Sequence, residues 1–468
     1  MKNGRYALIY ILCSLCALAN PLHAQDLSDA LRYSNARLAL SGEAAAMMGA
    51  QAVFGGDFYS AALNPATVGT FWKSHFDLGI HSLSTRTKSI VYPVGHFPTD
   101  PKKGINLTNL SMLMAFPSKG NWKTFNFLAQ VHAYESPKRL FHYSDIARGS
   151  ITYRWLQFAD GISVFELNPF EEGLAVAANA LHVVDSVDGE YIAPYLIDTP
   201  VLERQFTQYE STKMLRTQFA FGMNYRNRIY IGVSIQGGSA RYRRTYQYHE
   251  QLVPSASSQF FKQLEYLDTL NSSATSFSAS VGIIFRWSYH WAVSLFLQSR
   301  EYWTIEDQYS STLFFEDAGQ TRGASSPLGY FDYNLYTPFK IRKNFFDFQA
   351  IEFYPDQAQL NQDVSTTLAP SLSVALGGEV LPLSFLRLRG GFRLHQYPYA
   401  NNRSFYPAVG VGVGLNLKHF YIDIGYGRLR FKEGHVAYQY PAQSTFAVPS
   451  ATLTTDYSIL SVNAALRL

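Results

Sequence analysis

The sequence predicts an all-β protein, an antiparallel transmembrane β-barrel whose lumen is stopped by a small N-terminal helical segment. Three observations carry that expectation. Apolar residues alternate strictly with polar residues or glycine in segment after segment, the pattern of strands with two unlike faces. Short connections alternate with long polar ones, as they do in outer-membrane barrels. Aromatic residues make up 15% of the 468 positions, while charged residues reach only 16%, well below the roughly 25% of an ordinary globular chain. High charge with few aromatics, the signature of disorder, is therefore excluded. So is an Ala/Glu/Lys-rich coiled coil. A mean hydropathy of −0.09 is too low for a bundle of membrane-spanning helices.

Residues 1–24 read as a secretory signal peptide. Lys2 and Arg5 give a basic start, Tyr6 to Ala19 is apolar, and Leu22-His23-Ala24 suits cleavage before Gln25. An uncleaved anchor is the alternative, but the apolar run is short for a bilayer span. Cys13 and Cys16 both lie in this segment and follow Leu12 and Leu15, not the small residue of a lipoprotein signal. The mature chain then has no thiol for a disulfide or a metal. It is also close to neutral once Lys2 and Arg5 are gone, which speaks against a nucleic-acid partner.

From about Ser74 the period-two pattern begins, and 74–468 is expected to form the barrel. Phe125, Phe127, Ala129 and Val131 oppose Thr124, Asn126, Gln130 and His132; Phe219, Phe221, Met223 and Tyr225 oppose Gln218, Ala220 and Gly222. Ile229 to Ile235, Phe277 to Phe285, Trp291 to Leu297, Leu386 to Leu394, Val409 to Leu417, Phe420 to Tyr426 and Leu460 to Leu468 repeat the design. No run of 18 apolar residues follows Ala24, so strands and not helices must cross the bilayer. They must also close into a ring, since no unpaired backbone group can face lipid. A soluble sandwich alternates too, but it would need a second buried layer to match so many aromatic-rich faces. Short links are expected around Asn227, Tyr289, Pro382 and Lys418. Long ones are expected over roughly 135–214, 240–275, 300–333, 396–404 and 431–455. An apolar terminal strand ending at Leu468 suits the barrel assembly machinery, and Tyr225, Trp287, Trp291 and Tyr426 suit an interfacial girdle against outer-membrane lipids.

Residues 25–73 differ. They are Ala- and Leu-rich without alternation, broken at Gly55-Gly56-Asp57 and again at Asn64-Pro65-Ala66. Such a segment suits folding back into the lumen as a plug. The run DALRYSNARLALSGEAAAMMGAQAVFGGDFYSAALNPATVG resembles the N-terminus of the FadL/TodX-type outer-membrane transporters, above all in Asn64-Pro65-Ala66 placed between a Gly-Gly-Asp break and the first strand. The stretches MLRTQFAFGMNYRNRIYIGVSI and FLRLRGGFRLHQYPY are similar to strand pairs of that family. The resemblance implies a barrel of about fourteen strands closed by an N-terminal hatch, in the outer membrane of a Gram-negative cell. It also implies a hydrophobic small-molecule ligand such as a long-chain fatty acid or an aromatic hydrocarbon, and the protein is expected to act as a monomer without a cofactor.

Two groups of site residues follow. Gly55, Gly56, Asp57, Asn64, Pro65 and Ala66 are candidates for gating, the glycines through backbone freedom at a bend. Asn64 either pins the hatch to the wall or makes an Asx-turn ahead of Pro65. Arg387, Arg389, Arg393 and His395 share one strand face. They form either a cationic stripe for a carboxylate head group or internal ion pairs with Glu379, Glu43 or Asp57, the pairing expected because isolated lumenal charges are costly. Counting across a turn at Pro382 sets Glu379 opposite Arg387. The Gly410-x-Gly412-x-Gly414 run continues a strand with no helix after it, so it is expected to make room for the hatch and not to hold a phosphate. The apolar patch at 173–184 is either an outer landing surface or packing within its loop. No HExxH or GxSxG motif is present, and no catalytic residue or metal site is assigned. A different function on the same fold, a non-transporting scaffold in protein secretion or surface attachment, is the alternative suggested by the long loops.

Overall fold

The computed structural model describes residues 31–33, 41–53, 55–135, 137–288, 291–317, 319–337, 340–343, 346–349, 366–440, 444 and 446–468. The expected leader, 1–24, lies outside them. Among the described residues of the N-terminal segment, 31–33 are helical and two short helices follow, α1 (Gly42–Met47) and α2 (Phe58–Leu63), with 3-10 turns at Ala50–Val53 and Pro65–Thr70.

Strands follow from His75 onward. The first are β1 (His75–Val91), β2 (Gly95–Pro98), β3 (Lys102–Pro117), β4 (Trp122–Glu135) and β5 (Lys138–Ala147). A loop then carries α3 (Ile151–Ala159), α4 (Glu172–Ala177), β6 (His182–Asp185) and β7 (Glu190–Ile192). Three long strands come next: β8 (Leu202–Tyr225), β9 (Ile229–Leu252) and β10 (Gln263–Arg286). After them run β11 (Ala292–Gln298), β12 (Glu301–Glu316), β13 (Thr321–Ser325), β14 (Gly329–Thr337), β15 (Lys340–Lys343) and β16 (Phe346–Gln349). The last are β17 (Ser371–Leu383), β18 (Leu386–Gln396), β19 (Phe405–Asn416), β20 (Phe420–Val436) and β21 (Ser450–Arg467).

All of these pairings are antiparallel. From β1 they pass through β3, β4, β8, β9 and β10. β11 and β12 lie end to end along β10, and β14 and β15 lie end to end along those two. The order continues through β16, β17, β18, β19 and β20 to β21. β21 then pairs with β1 from His75↔Arg467 to Ile90↔Thr452, so the sequence of pairings returns to its first strand.

The two faces separate as the alternation requires. Outward positions form an apolar belt: Phe277, Val281, Ile283 and Phe285 on β10, Val409 and Val411 on β19, Leu460 and Leu466 on β21, and Phe76, Leu78 and Ile80 on β1 are all exposed. Trp287 and Trp291 are exposed at the end of the belt where the short turns lie, and Trp122 packs edge-on against Tyr225 there, with ring centroids 5.1 Å apart. Tyr426 sits at the opposite edge, beside the long loops.

The expected long loops are shorter than the sequence suggested. β9 runs to Leu252 and β10 starts at Gln263, so most of 240–275 is strand. β8 and β5 similarly take up parts of 135–214, and β12 and β14 take up much of 300–333. The reason is physical. Beyond the belt the outward positions turn polar, as at Thr275, Ser273 and Asn271 on β10, and the apolar half of the period-two signal disappears while the hydrogen-bonded ladder continues. The turn expected at Pro382 lies at Ser384-Phe385 instead, because an irregularity between Val380 and Leu383 lets β17 run through the proline.

The loop end is filled by an apolar cluster in which Trp155, Tyr195, Tyr248 and Phe261 are fully buried. Leu174, Ala175, Ala178 and Leu181 join it. Most of the 173–184 patch therefore packs into its own loop, while Val183 and Val184 at its end are exposed.

Candidate functional site

Residues 41–71 pack against the inward face of the sheet, and two rows of glycine in the wall form their seats. α1 begins at Ser41, whose Oγ accepts from the Ala44 amide at 3.1 Å, and ends at Met48 in the left-handed region, φ 53°. Its alanines let its backbone come close to the strands. Beneath it, Gly377, Gly391, Gly410 and Gly427 are direct cross-strand neighbours on β17, β18, β19 and β20. A Cβ on Gly391 would sit inside the Met47 backbone, and one on Gly410 would meet the Ala45 carbonyl. On Gly412 it would lie 2.5 Å from Ala46 Cβ, on Gly427 2.7 Å from Met48 Cε, and on Gly377 2.9 Å from Ala50 Cβ. Gly414 serves differently, clearing space beside Asp423 and Arg389.

The second seat holds Asn64-Pro65-Ala66. Gly222, Gly232 and Gly282 face one another across β8, β9 and β10. A Cβ on Gly232 would overlap the Pro65 carbonyl, one on Gly282 would strike the Asn64 side chain, and one on Gly222 would come 2.5 Å from the Gly69 nitrogen. Asn64 makes the Asx-turn: its Oδ1 accepts from the Ala66 amide at 3.0 Å, so it caps the 3-10 turn that Pro65 opens. The wall then satisfies the free carbonyls of that turn. Asn126 Nδ2 donates to Val68 O and Phe71 O, each at 2.7 Å, and Thr124 Oγ1 donates to Gly69 O at 2.8 Å. Gly55 and Gly56 stand at φ +72° and +98°, where a side chain would be strained, and form the bend between the two seats.

Charge fastens the first seat. Arg389, only 3% exposed in its side chain, reaches Glu43 of α1 at 3.0 Å, Glu379 of β17 at 2.7 Å and also Asp423 of β20. Arg387 reaches Glu379 at 3.4 Å. The register sets Glu379 opposite Arg389 and not Arg387, a consequence of the later turn. Asp57 accepts from Ser41 Oγ at 3.1 Å, so the bend after Gly56 closes back on the start of α1. The Gly42 amide donates to Asn463 Oδ1 at 2.9 Å, and Asn463 in turn donates to Asp77 at 3.2 Å and to Asn109 at 2.6 Å.

The four expected cationic positions of β18 thus have separate surroundings. Arg389 is at the centre of an ion network, and Arg387 lines a cavity of about 330 Å³ at the short-turn end, with Lys73, His75 and Arg467. The Arg393 guanidinium lies against Gly49, where a Cβ would come within 3.1 Å of it. His395 shares a hydrogen bond with Ser373 at 3.2 Å and stacks on Tyr406 with centroids 5.2 Å apart. Asp423, Asn463, Asp77 and Asn109 were not singled out from the sequence. Their signal was a single strong polar residue on the inward half of an otherwise clean alternation, as in Tyr421, Asp423, Gly425.

A second cavity, about 490 Å³, opens at the long-loop end between α3, the upper parts of β9 and β10, and the segment that follows β20. Trp155, Phe158, Tyr246, Tyr266 and Tyr438 give it aromatic walls. Arg244 is tied to Asp268 at 3.1 Å, and Tyr309 donates to the same carboxylate at 2.6 Å. The lining combines these aromatic rings with paired charges.

No protein-family model matches the chain, and no curated protein does. Solved structures do. The toluene transporter TodX of Pseudomonas putida is 12% identical, over 87% of this chain and 94% of its own, with a TM-score of 0.48. A FadL homologue of Pseudomonas aeruginosa is 9% identical over 92% and 99%, TM-score 0.48. The CymD monoaromatic hydrocarbon channel is 10% identical over 92% and 97%, TM-score 0.47. The similarity is to the FadL/TodX type. At these scores it is a likeness only, and the fold rests on the pairings and contacts given above.

Proposed function

We propose that the chain is an outer-membrane β-barrel of about fourteen strands that takes up hydrophobic small molecules, with residues 25–73 as its plug. The observation that carries the reading is the double glycine seat. Inward glycines on seven strands are matched to backbone and side-chain atoms between residues 42 and 69, while the outward face of the same strands is an apolar belt. A wall that fits its contents and is greasy outside suits a stoppered cylinder in lipid.

The aromatic cavity at the loop end is the proposed capture site, able to hold a long apolar body with a polar head. Keeping such a solute against aromatic walls avoids exposing it to water at roughly 25 cal/mol per Å². The plug then separates this cavity from the smaller cationic one at the short-turn end, where Arg387, Lys73 and Arg467 would meet an acidic head group.

The test is uptake of radiolabelled long-chain fatty acid and of toluene by cells with and without the gene, and with Trp155→Ala. Loss of uptake on deletion and a several-fold loss in the variant are expected. Unchanged uptake of both compounds in the deletion strain would refute transport.

A further inference from the structure

We infer that the outer wall around β21 binds the phosphorylated head group of an anionic glycolipid in the outer leaflet. The inference rests on the outer-membrane reading and adds a ligand to the lipid-facing side of the wall.

The register assembles the site. On β20 the outward residues after Tyr426 are Arg428, Arg430 and Lys432; on β1 those after Ser84 are Arg86 and Lys88; on β3 it is Lys103. Cross-strand pairing sets Arg428 beside Ser458, Arg430 beside Asp456 and Lys432 beside Thr454, and sets Arg86 and Lys88 on the other side of the same Asp456 and Thr454. Lys103 pairs with Ser84, which extends the patch to a fourth strand. Six cations and one acid thus occupy adjacent positions on four neighbouring strands. At ordinary strand spacing the patch is about 14 Å wide and about 14 Å tall.

Its position gives the partner. The apolar belt on these strands ends where the patch begins, at Ile80, Leu460 and Tyr426, on the side of the long loops. A lipid whose chains lie along the belt would carry its head group to this height. The one acid organises the cations and does not neutralise them: Arg430 holds Asp456 through Nε at 2.7 Å and Nη2 at 2.9 Å, and Arg428 adds a bond at 3.1 Å. Both arginines remain about half exposed, so their outer N–H groups face the lipid. Fixed guanidinium planes beside flexible lysines suit phosphate oxygens. A neutral head group would gain nothing from this arrangement.

The experiment uses the full-length protein in detergent with lipid A as probe, in bisphosphorylated and dephosphorylated forms, read by native mass spectrometry. The wild type is expected to retain the phosphorylated form at least about tenfold better, given near 1 kcal/mol per cation at a membrane surface. R86E/K88E/R430E is expected to abolish that preference. Substituting the outward cations of β8 and β9 instead, K213E/R241E/R243E, should leave it in place. Equal retention of the two lipids by the wild type overturns the inference even if the triple variant does not fold. Recovery of the wild type in the soluble fraction would instead overturn the outer-membrane reading beneath it.

Discussion

At the scale of single residues, absence of a side chain is the main device. Gly391 lies against the Met47 backbone with no space for a methyl group. Gly391→Leu should therefore lift α1 from the wall, with a loss of about 1–3 kcal/mol from overpacking and a rise in conductance to small hydrophilic solutes in planar bilayers. Gly378→Ala, on the same strand pair but with open space at its Cβ, should leave conductance as it was. The reverse case is Arg389. Removing it strands Glu43 and Asp423 as buried carboxylates, so Arg389→Met should destabilise by about 3–5 kcal/mol, measured by urea unfolding in detergent. Adding Glu43→Gln and Asp423→Asn should recover much of the loss, since no uncompensated charge would remain.

Among the elements, the loop helices α3 and α4 depend on buried acid groups. Glu250 caps α3, accepting from Ser150 Oγ at 2.5 Å and from the Ile151 amide at 2.9 Å. Glu172, in the first turn of α4, is pushed from its ordinary 4.5 to about 7, by burial first and by Glu171 second. A carboxyl with a raised folded-state value stabilises packing while it is protonated. That contribution is full below about 4.5 and is lost as pH rises through about 7. Protection from hydrogen exchange over 151–181, taken relative to the intrinsic rate at each pH, should fall between pH 5 and 8, and Glu172→Gln should remove that fall.

The elements also show what the sequence made legible. Alternation located the strands wherever the outward face is apolar, as in Val409 to Leu417 and Phe277 to Phe285. It failed above the belt, where Arg241, Arg243 and Asn271 face outward and the inward face mixes apolar with polar residues, as at Leu270 and Ser272. The inward charges of β18 were visible, and so was the clearance made by Gly410 and Gly412. Among the partners of Arg389, Glu43 and Glu379 were expected but Asp423 was not, because only the register of β18, β19 and β20 brings it to the arginine. The seat formed by Gly222, Gly232 and Gly282 was hidden for the same reason. Each is an isolated glycine until three strands align it.

At the scale of the whole molecule, one wall does two jobs with its two faces. Inside, it is shaped and charged to hold residues 41–53 and 55–71; outside, around β21, it is apolar to the level of Tyr426 and cationic above it. The seat of α1 is made from β17 to β20, whereas α1 itself lies near the start of the chain. During synthesis the stopper therefore emerges several hundred residues before its berth exists. It has to wait, unhoused, until the final strands arrive.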